Sequence, residues 1–519
     1  MTLNCRDFEA DGNTQQASPS ENVMAKASVC TDLAAPPGHP VLQSSNLQSN
    51  GVTFSDLNPA KAIPACLYAF EKYPFFPHFQ TFLARAFLKG GYDQQALEHY
   101  HAAAEAGEPY AQSDLGQLNL GGIGMEKDFA QAKLLFEKAA EKGVARAQHY
   151  LGIIHNQGHG VPQDPEEAFA WFLKAAEQGL DESQYNLAAM YDIGNGVAQS
   201  HDEAFKWYHK AAEQGLAGAQ VNLGVLYSRG QGVAQNPEEA FRWYHKAAVQ
   251  GLAQAQANLG MMYDDGYGVA QNHEEAFNWY HKAAEQGFAL AQLDLGVKYA
   301  NGQGVTQNYN EAFKWYQKAA EQGIAQAQVR LGEMYTYGDG VAQNHDTAFK
   351  WYHKAAEQGI ALAQFNLGVM YDDGYGVAQN YDEAFKWYQK AAEQGHAKAQ
   401  SNLGILFQKG LGVAQSHEEA FKLYQSAALG GNANAHILLA RLYQTGAGVR
   451  QSDGETIAHI VLSLKGQHPF FRDLETGQWK PSVLIGLQKH LQGLGIYHGP
   501  IDAKVNPELR AAMQVLIDG

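Results

Sequence analysis

The stretch "NLGVMYDDGYGVAQNYDEAFKWYQKAAEQG", residues 366–395, decides the fold because the chain writes it again and again. "NLGMMYDDGYGVAQNHEEAFNWYHKAAEQG" occupies 258–287 and "NLGVLYSRGQGVAQNPEEAFRWYHKAAVQG" occupies 222–251. An active site is needed once, whereas every layer of a stacked scaffold solves the same packing problem. The period is 36 residues. Closing glycines run from Gly107 and Gly143 through Gly395 to Gly431, without insertion or deletion over nine units from 108 to 431, and a tenth, less regular unit reaches about 465.

Each unit reads as two helices. In 252–287, Ala255, Leu259, Met262 and Tyr263 share one helical face and predict a helix over about 253–265, stopped by Gly266 and Gly268. Asn272 followed by Glu274 and Glu275 has the chemistry of a second helix start, with Lys282 and Gly287 marking its end. In the preceding unit Asn236-Pro237 puts proline at a first helical position, where its missing N–H is harmless. The second helix has a wide apolar face, as in Ala204, Phe205, Trp207, Tyr208, Ala211 and Ala212, which predicts packing on its partner and on the next unit together. Trp171, Trp207, Trp243, Trp279, Trp315, Trp351 and Trp387 form one core column. Gly260 and its equivalents recur inside the first helix, a placement that costs about 0.5–1 kcal/mol against alanine. Close helix approach is the expected reason, and Ala188 and Ala440 in the same column predict that a methyl is tolerated.

Composition sets the bounds. At 519 residues the chain is too long for one compact core. Its 54 acidic and 37 basic residues are interspersed, and a net charge of −17 argues against nucleic acid, which would want a basic stripe. Cys5, Cys30 and Cys66 lie outside the repeats proper and read as three unrelated thiols. No apolar run spans a bilayer and the start has no secretory pattern, so the expected compartment is the cytoplasm, with the periplasm or non-classical secretion as the alternative. Residues 1–55, rich in Ser, Asn, Gln and Pro, read as a disordered leader, and 56–107 as helices with short turns.

The repeated pattern of alanine, Leu-Gly, tyrosine, Gly-x-Gly-Val and Trp-Tyr-x-Lys-Ala-Ala-Glu-x-Gly resembles the SEL-like repeat, a branch of the tetratricopeptide-type α/α solenoids, over 108–465. Residues 56–107 are similar to ordinary tetratricopeptide helices. Residues 487–516 resemble a small helical peptidoglycan-binding domain through Leu487-Gln488, Leu491, Gly495, Tyr497, Gly499, Ile501-Asp502 and Ala512. They depart from it at Ala503, Val505-Asn506 and Leu509, and a helical cap on the last repeat is the alternative for 466–519. The resemblance implies an all-α, right-handed superhelical α/α solenoid of about ten helix pairs with a small helical C-terminal domain. It also implies a non-catalytic adaptor that binds protein or peptide partners, with peptidoglycan as a second partner through the C-terminal segment.

Chemistry finds little footing in the sequence. Neither Gly-x-Ser-x-Gly nor Ser-x-x-Lys occurs, which argues against a cell-wall or β-lactam hydrolase, the remaining alternative. The histidine columns at 201, 273, 345, 417 and at 209, 245, 281, 353 are spaced too widely to share a metal, and no cofactor is expected. Columns that vary between units yet sit on a regular helix are the place for specificity. On the first helix these are Asn222, Asn258, Asp294, Arg330, Asn366 and Asn402, and Arg229, Asp265, Asn301, Tyr337, Asp373 and Lys409. By resemblance they line the concave groove, where an amide ladder offers donors and acceptors to an extended peptide.

Overall fold

The computed structural model describes residues 28–35, 52–466 and 479–518, and every regular element among them is an α-helix. The chain divides into two compact units, 1–255 and 256–519. In both, helices pair in sequence, and from Pro109 to Lys465 every helix is 13 residues long. First helices begin at Pro109, Ala145 and each 36th residue to Ala433, and second helices at Phe129, Pro165 and each 36th residue to Asp453.

The helix ends follow from local chemistry. Asn272 accepts from the backbone N–H groups of Glu274 and Glu275 at 3.0 and 3.1 Å, opening His273–Glu285. Helix Ala289–Asn301 has no side-chain cap at its start and ends on Gly302, whose φ of 70° lets its N–H reach the Lys298 carbonyl. The loop is then clipped back onto that helix. Asn308 N–H donates to Tyr299 O at 2.8 Å, and Gln307 Nε2 donates to Ala300 O at 2.8 Å.

The expected close approach has a specific partner. A Cβ built on Gly260 would lie 2.7 Å from the Tyr280 ring, and one on Gly332 2.5 Å from the Tyr352 ring. The methyl expected to be tolerated therefore needs the ring to move, although Ala188 and Tyr208 share one core cluster at the same place in their own unit. These tyrosines, not the tryptophans, are the fully enclosed aromatics. Tyr208, Tyr280, Tyr316 and Tyr388 are 0–4% exposed, whereas Trp279, Trp315 and Trp387 are 8–9% exposed and Trp171, Trp207 and Trp351 are half-buried. Trp243, Trp279, Trp315 and Trp387 belong to the core, the half-buried three lie at its edge, and each of the seven is roofed by the lysine three residues on, Lys210 Nζ lying 3.8 Å from the Trp207 ring centre.

A buried glutamine ladder runs beside this core. Gln184, 4% exposed, donates to Ala176 O, and its own Oε1 accepts from Gln214 Nε2 at 2.8 Å. Gln292 repeats this in the second unit with Ala284 O and Gln322. The ladder stops where its partner is missing. Lys142 and Gly430 stand where other units have glutamine, and Gln112 Oε1 and Gln400 Oε1 are buried without a partner.

The N-terminal end differs from expectation. Residues 28–34, inside the stretch read as a disordered leader, are helical, and Cys30, Ala34 and Ala35 are fully buried against helix Pro59–Lys72. Cys30 and Cys66 form a disulfide with Cα atoms 4.7 Å apart, so two of the three thiols are not unrelated. A polar composition and a 36-residue separation hid both features. Residues 1–27 and 36–51, with Cys5, lie outside the described residues. At the other end, helices Pro481–Gly493 and Pro507–Asp518 share one core with the last repeat: Val483, Leu487, Leu491 and Met513 pack with Ile437, Ile460 and Leu464.

Candidate functional site

The first-helix residues singled out by their variability divide by depth. Arg229, Asp265, Asn301, Arg330, Tyr337, Asp373 and Lys409 are exposed, whereas Asn222, Asn258, Asp294, Asn366 and Asn402 are half-buried. The asparagine column serves the scaffold at least in part. Asn222 hydrogen-bonds the Tyr208 hydroxyl, and Asn402 Nδ2 donates to Tyr388 Oη at 3.0 Å, which itself donates to Asp372 Oδ2 at 3.2 Å. Burial pushes the Tyr388 hydroxyl far above its usual range, so it stays a donor at any ordinary pH.

Four of these residues meet around two neighbouring depressions. One, of about 380 Å³, is lined by Tyr337, Leu362, Phe365, Asn366, His396 and Lys398. The other, of about 170 Å³, is lined by Asn301, Tyr309, Tyr316, Arg330, Met334 and Asp339. Glu333 borders both and holds Arg330 Nη1 at 2.9 Å. Tyr337 is 73% exposed and Leu362 39%, so an aromatic ring and a leucine of one depression both stand in solvent. His396 packs on Phe365 with ring centres 4.8 Å apart, and burial followed by the nearby Lys398 charge lowers its pKa, leaving the imidazole neutral near pH 7.

Charge is uneven along this face of the second unit. Buried Lys298 and the His273 ring both pair with Asp264, the latter at 2.6 Å. Burial raises Asp294 from 3.8 to about 6, the Asp264 charge adds to the rise, and Lys298 opposes it. Glu333, Phe365, His396 and Tyr309 were not among the residues read from sequence. Glu333 had a signal, since Met261, Val297 and Val369 fill its column in other units.

A larger depression, about 650 Å³, lies on the second helix His345–Glu357 over Phe349, Lys350, Trp351, His353 and Lys354. Phenylalanine, tryptophan and lysine recur at those positions in most units, so its lining does not distinguish this place along the chain. Among the described residues no three metal-ligating side chains gather, and no helix is long and apolar enough to cross a membrane.

Comparison with known proteins bears on the repeat itself. The family model for the Sel1 repeat matches eleven consecutive segments from 77–108 to 433–458. The first of them lies in the stretch read as tetratricopeptide-like helices, so the repeats begin earlier than the sequence pattern suggested. The crystal structure of a protective antigen present in uropathogenic Escherichia coli strains, displaying this repeat fold, is 34% identical with a TM-score of 0.69, over 81% of this chain and 90% of that one. A Sel1 repeat protein from Oxalobacter formigenes is 35% identical with a TM-score of 0.48, over 60% of this chain and 89% of that one. No curated protein matches. Neither comparison extends the peptidoglycan-binding resemblance of 487–516, and the residues that carried it turn inward: Gln488 and Tyr497 are fully buried, Gln488 Oε1 takes the N–H groups of Asp502 and Ala503 at 3.1 Å, and Tyr497 donates to Pro500 O. With eleven matched units across 77–458 and the same fold in a relative 34% identical, the chain belongs to the Sel1 repeat family.

Proposed function

We propose that the chain is a non-catalytic adaptor whose first-helix face, over residues 289–409, holds an extended segment of a partner protein. The carrying observation is the paired depressions around Arg330 and Tyr337, where variable, solvent-exposed side chains sit on regular helices. The Sel1 repeat fold is typical of protein-interaction scaffolds. Exposed aromatic and arginine side chains supply most interface energy, and alternate side chains of an extended peptide reach successive pockets. Burial of the neighbouring leucine and tyrosine would add to the attraction.

The test is partner capture from the native host, read by mass spectrometry. Joint replacement of Arg330, Tyr337 and Asn366 by alanine should abolish capture while helicity is kept. A matched replacement of Lys314, Gln317 and Glu321, exposed on the second helix Tyr309–Glu321, should leave capture intact. Capture that survives the first triple and fails with the second would move the working surface to the second-helix side.

A further inference from the structure

The N-terminal end is held by a bond the repeats do without. Cys30 and Cys66 are joined and both are fully buried. Beside them Arg85, 3% exposed, donates from Nη1 to Ala34 O at 2.7 Å and from Nη2 to Val52 O at 3.1 Å, with Nε 4.0 Å from the Asp114 carboxylate. Val52 N–H donates to Ala35 O at 2.8 Å. Residues 28–35 thus form a clasp over Ala62, Ala69, Phe82 and Ala86 at the open end of the first helices. A seven-residue helix does not stand alone in water, and "SVCTDLAA" offers little apolar surface to hold it down. The cross-link and the buried guanidinium supply what the sequence lacks, and a buried guanidinium left without its carbonyl partners would be costly.

We infer that Cys30–Cys66 is a structural disulfide installed during folding, and that the chain reaches its native state in an oxidising compartment. The reaction is thiol–disulfide exchange with a disulfide-bearing oxidant. One cysteine, as thiolate, attacks the oxidant's S–S bond to give a mixed disulfide. The second thiolate displaces the oxidant, which leaves as a dithiol carrying the two electrons and, with solvent, the two protons that the cysteines gave up. Disulfides of this kind persist in secreted and periplasmic proteins and are rare in the cytosol, so the inference displaces the cytoplasmic expectation. Both sulfurs are out of reach of an attacking thiolate once the clasp is closed, which marks the bond as a fastener and not a switch.

The test uses the full chain isolated from its own host, denatured without reductant and alkylated. Cys30 and Cys66 should escape labelling and appear in one cross-linked peptide, while Cys5 labels. In the C30S/C66S variant, amide exchange over helices Pro59–Lys72 and Pro77–Lys89 should accelerate on the order of 100-fold, with helices from Ala145 onward unchanged. Should that variant fail to accumulate, the wild-type chain unfolded, reduced and refolded under reductant should give the same local acceleration. Free thiols at both positions in the host-derived chain overturn the inference, as does exchange over 59–89 that neither the variant nor reduction alters.

Discussion

Asp294 carries a carboxyl where several sister units carry an amide: Asn222, Asn258, Asn366 and Asn402 stand in the same column. Its carboxyl is raised to about 6 by burial, so the native state holds a proton that the unfolded chain releases near 3.8. A folded pKa above the unfolded one means this group favours folding most at low pH, and the benefit is lost as pH rises from about 4 through 6. Asp294→Asn should therefore raise stability at pH 7, by at most ~3 kcal/mol at 1.36 kcal/mol per pK unit, and the gain should vanish near pH 4. Urea melts at the two pH values check it, and an equal gain at both would refute the assignment. The glycines show where residue-level reading of the sequence stops. Their column was plain from the period, but the ring that fills the space at Gly260 belongs to Tyr280, 20 residues on, and no local pattern announces it. Gly260→Ala should cost about 1–3 kcal/mol in place of the neutrality that Ala188 suggested. Gly304→Ala should cost more, because φ there is 74° and the new Cβ would overlap the His273 carbonyl, which is backbone and cannot rotate away. Melting of the two variants in parallel ranks them.

At the scale of the element, helix boundaries were legible because they rest on short-range chemistry. Asn272, Gly266, Gly287 and Pro237 each act within a few residues of their own position, and the helices start and stop where those residues place them. The glutamine ladder was not legible for the opposite reason. A polar residue on a first helix reads as solvent-facing until the preceding helix brings its last carbonyls alongside, as Ala284 O is brought to Gln292. The period makes Gln148, Gln184 and Gln220 a column, but only packing makes them interior. The ladder's broken rungs give a test in the stabilising direction. Lys142→Gln should place an amide against the orphaned Gln112 Oε1, as Gln178 does for Gln148 at 2.7 Å, and gain about 1 kcal/mol. Gln292→Leu should lose ~1–3 kcal/mol, since Gln322 is left without its side-chain acceptor. A rise in melting temperature for the first and a fall for the second are expected, and a Lys142→Gln chain no more stable than wild type would mean that the amide does not reach its rung. The candidate site was half legible by the same logic. Variable columns pointed to Arg330 and Tyr337, while Phe365 and His396 join them only through the stacking of successive helices.

For the whole molecule, the interior of the solenoid was readable from its period, the C-terminal end only as two alternatives and the N-terminal end not at all, because an end is by definition where the period fails. Each end closes its open helix face differently. At the start a seven-residue helix is pinned by Cys30–Cys66 and Arg85. At the finish, helices Pro481–Gly493 and Pro507–Asp518 lay Val483, Leu487, Leu491 and Met513 over the last repeat. Such caps are what keep a stack of repeats soluble, since every interior unit is apolar on both sides. One loop of the C-terminal segment is pinned from inside: Ala503 has φ of 57°, a left-handed conformation uncommon for alanine, and its N–H donates to Gln488 Oε1. Because units contact mainly their neighbours, damage at a cap should stay local. A chain ending at Gly466 should expose Ile437, Ile460 and Leu464, speed amide exchange in helices Ala433–Thr445 and Asp453–Lys465, and promote aggregation. Exchange in the helices between Ala289 and Glu357 should match the full chain. Unchanged protection in Asp453–Lys465 would show that residues 481–518 are an appendage and not a cap, while loosening that reached Ala289 would show that the repeats melt as one body.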